Sequence, residues 1–128
     1  MQVQLAYFTL TGQTRKFVQK LNEVTAYEIS AINPYHSMQQ PYILVVPTYD
    51  KEVTEPVIEF LETGDNRQLC QGVFGGGNRN FAQLFCFTAK DIARDYQLPL
   101  LHLFEFQGSD FDVQRLKEEL NRIETTSH

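Results

Sequence analysis

"YILVVPTYD", residues 42–50, opens with five apolar residues in a row, so an extended Tyr42–Val46 segment has no polar face. A strand apolar on both sides suits the interior of a parallel sheet covered by helices above and below. Pro47 lacks the N–H that a sheet ladder needs and ends the segment. Thr48, Tyr49 and Asp50 then lie just beyond the strand's carboxyl end. Toward the N-terminus, Val3, Leu5 and Tyr7 alternate as a first strand, and Phe17, Val18 and Leu21 put one apolar face on a helix over Arg15–Asn22. Tyr27–Ile32 is a weak second strand, and residues 33–40, with Pro34, form a loop.

Toward the C-terminus, Thr54 with Pro56 in the following turn marks a helix start, Val57, Ile58, Phe60 and Leu61 form its buried stripe, and Gly64 stops it. Leu69–Phe74 is the fourth strand. Asn80 caps a long helix whose inner face is Phe81, Leu84, Phe85, Thr88, Ile92 and Tyr96. Leu100–Phe106 is the fifth strand, Gly108 a turn, and Ser109 or Asp110 caps a last helix carrying Val113, Leu116, Leu120 and Ile123. The alternation of strand and helix over residues 1–128 predicts one α/β domain. Its sheet is doubly wound, parallel and five-stranded, in the order 2-1-3-4-5 with helices on both faces. Ligands of such sheets bind at the loops beyond the carboxyl ends of the strands.

The chain has 128 residues, 42% hydrophobic and 21% charged, with a net charge of -5. That balance argues against binding to nucleic-acid phosphates or to an anionic membrane surface. No apolar run approaches the roughly 20 residues of a membrane helix, and no basic leader precedes one, which predicts a cytoplasmic protein. Cys70 and Cys86 form no CxxC or Cys/His cluster and are expected to be reduced core thiols.

Three loops are unusual. "TLTGQT", Thr9–Thr14, lacks the Gly-Lys-Ser/Thr of a nucleoside-triphosphate loop and the GxGxxG of a dinucleotide fold. Its threonine hydroxyls, Gly12 and the free amides of a helix N-terminus can surround the phosphate of a small mononucleotide. Arg15 and Lys16 would oppose the helix dipole there, at about 0.3–1 kcal/mol, unless an anion sits among them. A threonine-capped helix start with its cations in water is the plain alternative. In the second loop Tyr49 has an exposed strand-end position where its ring can stack on a flat ligand, and Thr48 adds a hydroxyl. The third, in "GVFGGGNRNF" (residues 72–81), places Gly75, Gly76 and Gly77 before Asn78. Glycine inside regular structure costs about 0.5–1 kcal/mol relative to alanine. A sharp turn needing positive φ would use fewer than three. Bare backbone lets the edge of a planar ring reach main-chain N–H and C=O groups, and an isoalloxazine fits that description. In the order 2-1-3-4-5 all three loops open on one crevice. His36 lies in a polar loop and His102 alternates within a strand, so both are read as structural. The acidic residues of "FDVQRLKEEL" are read as a solvated helix face.

"YFTLTGQT", "YILVVPTYD", "GVFGGGNRNF" and "LPLLHLFEFQG", in this order and at these spacings, resemble the NrdI family, the flavodoxin-like activating proteins of class Ib ribonucleotide reductase. The resemblance covers nearly the whole chain. It implies a flavodoxin-like fold with non-covalent FMN, and an activating flavoprotein rather than a stand-alone enzyme. Its flavin, once reduced by a flavin-reducing protein, reacts with O2, and the superoxide passes to the radical-generating (beta) subunit of the reductase. Carried over by position, Thr9, Leu10, Thr11, Gly12, Gln13 and Thr14 hold the FMN phosphate. Thr48, Tyr49 and Asp50 flank the ring, with Tyr49 stacked on it. Gly76, Gly77 and Asn78 face its reactive edge, and Gly75 and Phe81 are further cofactor-binding residues. Gln13 stands where the family has asparagine, and Asp50 where glycine is common. A conventional flavodoxin, shuttling single electrons, is the alternative; against it, the "GGGNRNF" loop has no carboxylate and carries Arg79, so a reduced, anionic ring meets less repulsion there. A flavin-free module that binds a partner through exposed rings such as Tyr35 or Phe111 is a further alternative.

Overall fold

The computed structural model describes residues 3–21, 24–78 and 86–126. Its elements run β1 (Gln4–Tyr7), α1 (Gln13–Gln19), β2 (Ala26–Glu28), β3 (Tyr42–Val46), α2 (Lys51–Leu61), α3 (Asn66–Leu69), β4 (Cys70–Gly77), α4 (Phe87–Tyr96), β5 (Leu100–Glu105) and α5 (Asp110–Thr126). All strand pairs are parallel and the sheet order is β2-β1-β3-β4-β5, as the sequence predicts. Every residue of β3 is buried. Tyr42, Leu44 and Val46 enter one core with Val57, Phe60 and Leu61 of α2 and Ala89, Ile92 and Ala93 of α4. Ile43 and Val45 enter the other with Phe17 and Val18 of α1 and Val113, Leu116, Leu120 and Ile123 of α5. The two-sided apolarity of "YILVV" is thus used on both sides.

Several boundaries differ from those expected. Helix α1 starts at Gln13, before Arg15, and ends before Leu21. Strand β2 stops at Glu28 rather than Ile32, because the Ser30 hydroxyl accepts the amides of Ile32 and Asn33 and turns the chain. Helix α2 starts at Lys51, so Pro56 lies inside it rather than in its first turn. The hydrogen bond lost to Pro56 is outweighed by full burial of Val57, Phe60 and Leu61.

The largest correction concerns the glycines. Strand β4 continues through Gly75–Gly77, and none of the three has a positive φ. The space a side chain would take is filled by the protein. A Cβ at Gly75 would lie 2.4 Å from the Ala89 Cβ, and one at Gly76 2.9 Å from the Phe104 ring. Helix α4 and the β5 side chains can therefore lie close against bare strand. Helix α4 begins at Phe87, because Cys86 is left-handed at φ 56°, a conformation an α-helix cannot run through. One continuous helix down to Tyr96 is thus not formed. The expected cap Asn80, with Phe81, Leu84 and Phe85, lies outside the described residues. Ser109, rather than Asp110, caps α5: its hydroxyl accepts the Asp112 amide at 3.3 Å while Asp112 Oδ2 accepts the Ser109 amide at 2.8 Å. Cys70 and Cys86 are buried and form no disulfide, and burial pushes the Cys70 thiol up to about 11.

Candidate functional site

Beyond the carboxyl ends of β1, β3 and β4 lies a cavity of about 500 Å³. Gln13 enters it from the β1–α1 loop, Thr48, Tyr49 and Asp50 from the β3–α2 loop, and Gly77 and Asn78 from the end of β4. Pro47, Phe87 and Phe106 complete the walls. The three segments singled out in the sequence therefore meet at one rim.

Thr9, Leu10, Thr11, Gly12 and Thr14 form the turn into α1 and do not line this cavity. Gly12 takes φ 94°, which β-carbon residues rarely adopt, and a Cβ there would meet nothing within 4 Å. Its amide donates to Thr9 Oγ1 at 3.0 Å, closing the turn. No side chain caps α1, so the first-turn amides of Gln13, Thr14 and Arg15 have no helical acceptor. Thr14 is buried and Leu10 exposed.

Arg15 does not strengthen the case for an anion. Its guanidinium grips both oxygens of Glu28, at 2.8 and 2.9 Å, and Tyr7 donates to the same carboxylate at 3.0 Å. The Arg15 hydrogen bonds hold the Glu28 carboxyl below its ordinary value, and burial, then Glu28, pushes the Tyr7 phenol up. The Arg15 charge is thus met inside the chain, whereas Lys16 is exposed.

Tyr49 is half-buried rather than exposed. Thr88 Oγ1, on α4, accepts the Tyr49 amide at 3.2 Å and donates to the Tyr49 carbonyl at 3.1 Å. The Tyr49 hydroxyl donates to Thr11 Oγ1 at 3.4 Å, joining the two loops. Thr48 Oγ1 donates to the Gly76 carbonyl at 2.6 Å. The β3–α2 loop is consequently tied to α4, to the β1–α1 loop and to β4.

Gly75 and Gly76 are buried in the strand and do not line the cavity; Gly77 does, with its Cβ position 3.0 Å from the Cys86 amide nitrogen and sulfur. Phe81 lies outside the described residues. Phe87, Thr88 and Phe106 escaped the sequence reading as parts of the site. Thr88 was assigned only to a helix face, although a buried threonine on an otherwise apolar face was the available signal. Phe106, at φ 53° and 48% exposed, donates its amide to the Gly77 carbonyl at 3.1 Å. A large apolar residue at the carboxyl end of β5 stands at the same rim as the other loops. His36 stacks on Tyr27 at 4.1 Å and His102 Nε2 lies 2.7 Å from Asp112 Oδ1, neither in the cavity. Among the described residues no group of His, Cys, Asp or Glu could hold a metal ion.

The donor set fits FMN. Free amides and threonine hydroxyls suit a phosphate at one end, and Tyr49, Phe87 and Phe106 offer aromatic walls to a flat ring at the other. The volume lies within the range of about 300–1,000 Å³ usual for small-ligand sites.

Known proteins agree with this geometry. The family described as NrdI flavodoxin-like matches residues 5–118. "Protein NrdI" of Bartonella henselae is 40% identical over 122 residues, covering 91% of this chain and 92% of its own. "Protein NrdI" of Ruegeria sp. is 36% identical, covering 91% and 86%. Among solved structures, a short-chain flavodoxin associated with a non-canonical PDU bacterial microcompartment superposes over 100% of both chains with a TM-score of 0.68 at 20% identity, a likeness of fold. With its sheet order, its rim of three loops and these relatives, the chain belongs to the NrdI flavodoxin-like family of FMN-binding proteins.

Proposed function

We propose that this protein holds FMN at the rim of β1, β3 and β4 and acts in the cytoplasm as the activating flavoprotein of a class Ib ribonucleotide reductase. The observation that carries the reading is the meeting of Gln13, Thr48, Tyr49, Asp50, Gly77 and Asn78 in one cavity, in a chain whose family is linked to ribonucleotide reductase. Bound and reduced, the flavin supplies one electron to O2 and so provides superoxide for the radical-generating subunit. The chain's own part is to bind and orient. The amides of Thr11, Gln13 and Thr14 and the hydroxyls of Thr9 and Thr11 take the phosphate, with Leu10 and Gly12 shaping the turn. Tyr49, fixed by Thr88 and Thr11, stacks on the ring. Gly77 and Asn78 present main chain to its edge, and Phe87 and Phe106 keep water from its flanks.

The test mixes FMN-loaded, dithionite-reduced protein with the radical-generating subunit encoded in the same genome, its metal and O2, and looks by electron paramagnetic resonance for a tyrosyl-type radical. Radical formation that superoxide dismutase suppresses is expected. No radical above a flavin-free control would remove the activating role while leaving the fold and the cofactor untouched.

A further inference from the structure

A second cavity, of about 620 Å³, runs between α2 and α4 outside the FMN rim. Its floor is apolar: Ile58 comes from α2 and Ile92 and Tyr96 from α4. Its edges are acidic on both sides, with Glu52 and Glu55 on α2 and Asp91 and Asp95 on α4. We propose that this groove docks a cationic amphipathic helix of a partner protein.

The charge argues for that occupant. Helix α2 carries Glu52, Glu55 and Glu59 against Lys51, a net of -2 in a chain whose total is -5. The cation between the two acids of α4 is Arg94, which already pairs with Asp91 at 3.4 Å and Asp95 at 3.0 Å. Among the described residues neither Glu52 nor Glu55 has an ion-pair partner, so two of the four carboxylates along the apolar floor are unpaired while the other two share Arg94, and Arg67 lies over the Tyr96 ring at 5.8 Å. A helix with an apolar ridge and lysines or arginines along both flanks would fill the floor and neutralise both edges. The length fits too: α2 has 11 residues, about 16 Å of helix, which a partner helix of three turns would span.

A second copy of the chain is a poor occupant. Two of the three cations on the long helix α5 are engaged, Arg115 with Glu118 and Glu119 and Arg122 with Glu119, which leaves the exposed Lys117, and two copies would bring together two chains of charge -5. The groove also has an address. Phe87 lines both it and the FMN cavity, and Thr88, which lines the groove, holds the Tyr49 backbone. A helix docked here would lie against the structure that fixes Tyr49. Docking itself does not depend on bound flavin.

The experiment is an amide-resolved NMR titration of the full chain, with and without FMN, using a synthetic 18-residue helix with leucines on one face and lysines on the other. Controls are the same peptide with glutamate for lysine and a scrambled peptide of identical composition. Shifts confined to α2 and α4 in both flavin states, and no binding of the glutamate peptide, are expected. Glu52→Gln with Glu55→Gln should weaken binding roughly threefold to thirtyfold, the sum of two exposed ion pairs. Reversal of both residues to lysine should abolish it, with circular dichroism confirming that the variants fold. Equal affinity for the scrambled peptide, shifts spread over other faces, or unchanged affinity in the double glutamine variant would each overturn the proposal. Loss of FMN binding alone would count against the flavin site and leave this titration readable.

Discussion

Asn66 has 0% exposure and commits its whole side chain to main chain. Its Oδ1 accepts the Met38 amide at 2.8 Å, and its Nδ2 donates to the carbonyls of His36 and Phe60, also at 2.8 Å. The Tyr42 hydroxyl adds a 2.6 Å bond to the Asn66 carbonyl. One residue thus pins the irregular segment around Met38 to the end of α2 and the start of β3. Asn66→Ala should cost about 3 kcal/mol in urea unfolding, since each buried main-chain group left unpaired costs about 1–3 kcal/mol and some relaxation occurs. A loss under about 1 kcal/mol would mean that water replaces the amide. Nothing local in "GDNRQ" announces this role, because His36, Met38 and Tyr42, which supply three of its four bonds, lie 24 to 30 residues away. The glycine triplet was conspicuous for the right reason, crowding, but the crowding partner at Gly75 and Gly76 is protein. Gly75→Ala sets two β-carbons 2.4 Å apart, an overpacking expected to cost about 1–3 kcal/mol in thermal or urea unfolding. Unchanged stability would show that α4 moves away freely.

At the scale of elements, the β3–α2 loop is positioned by its neighbours more than by itself. Thr88→Val keeps the shape of α4 but removes both bonds to the Tyr49 backbone. The FMN dissociation constant should rise about tenfold, or about 1.4 kcal/mol, read by fluorescence quenching. Tyr49→Phe removes just the long bond to Thr11 and should change affinity less than about threefold, the effect of a weak partly exposed hydrogen bond. Equal behaviour of the two variants would place the loop's anchoring elsewhere. The α5 cap makes a prediction about acid. Burial pushes the Asp112 carboxyl up, but hydrogen bonds from His102 and from the Ser109 amide and hydroxyl outweigh it and hold the group below its ordinary value. A carboxyl depressed on folding stabilises the protein above its unfolded value of about 4 and loses that contribution as pH falls through the folded value. The urea midpoint of the wild type should therefore drop more steeply below about pH 4 than that of Asp112→Asn, and parallel curves would refute the role given to the cap. Strands were the more legible elements, β1 by its alternation and β3 by its unbroken apolar run. Helix starts were less so: Thr54 and Pro56 look like an N-terminus, yet the helix begins at Lys51, with the Val53 and Thr54 amides both donating to the Asp50 carbonyl.

At the scale of the molecule, the class, the sheet order and the gathering of three loops followed from the alternation of strand and helix along the chain, with β3, apolar on both faces, placed in the sheet interior. Among the described residues no helix is long and apolar enough to cross a membrane. FMN at a hundredfold excess over its dissociation constant should add about 2.7 kcal/mol of stability by mass action, seen as a rise in the thermal midpoint; no rise at saturating FMN would count against the rim as its site. That scan also probes the sharing of β3 by two cores. Because Leu44 backs one helical layer and Ile43 the other, neither layer can melt while its opposite stays docked. Heat should dissolve the whole chain in one step, with calorimetric and van't Hoff enthalpies equal.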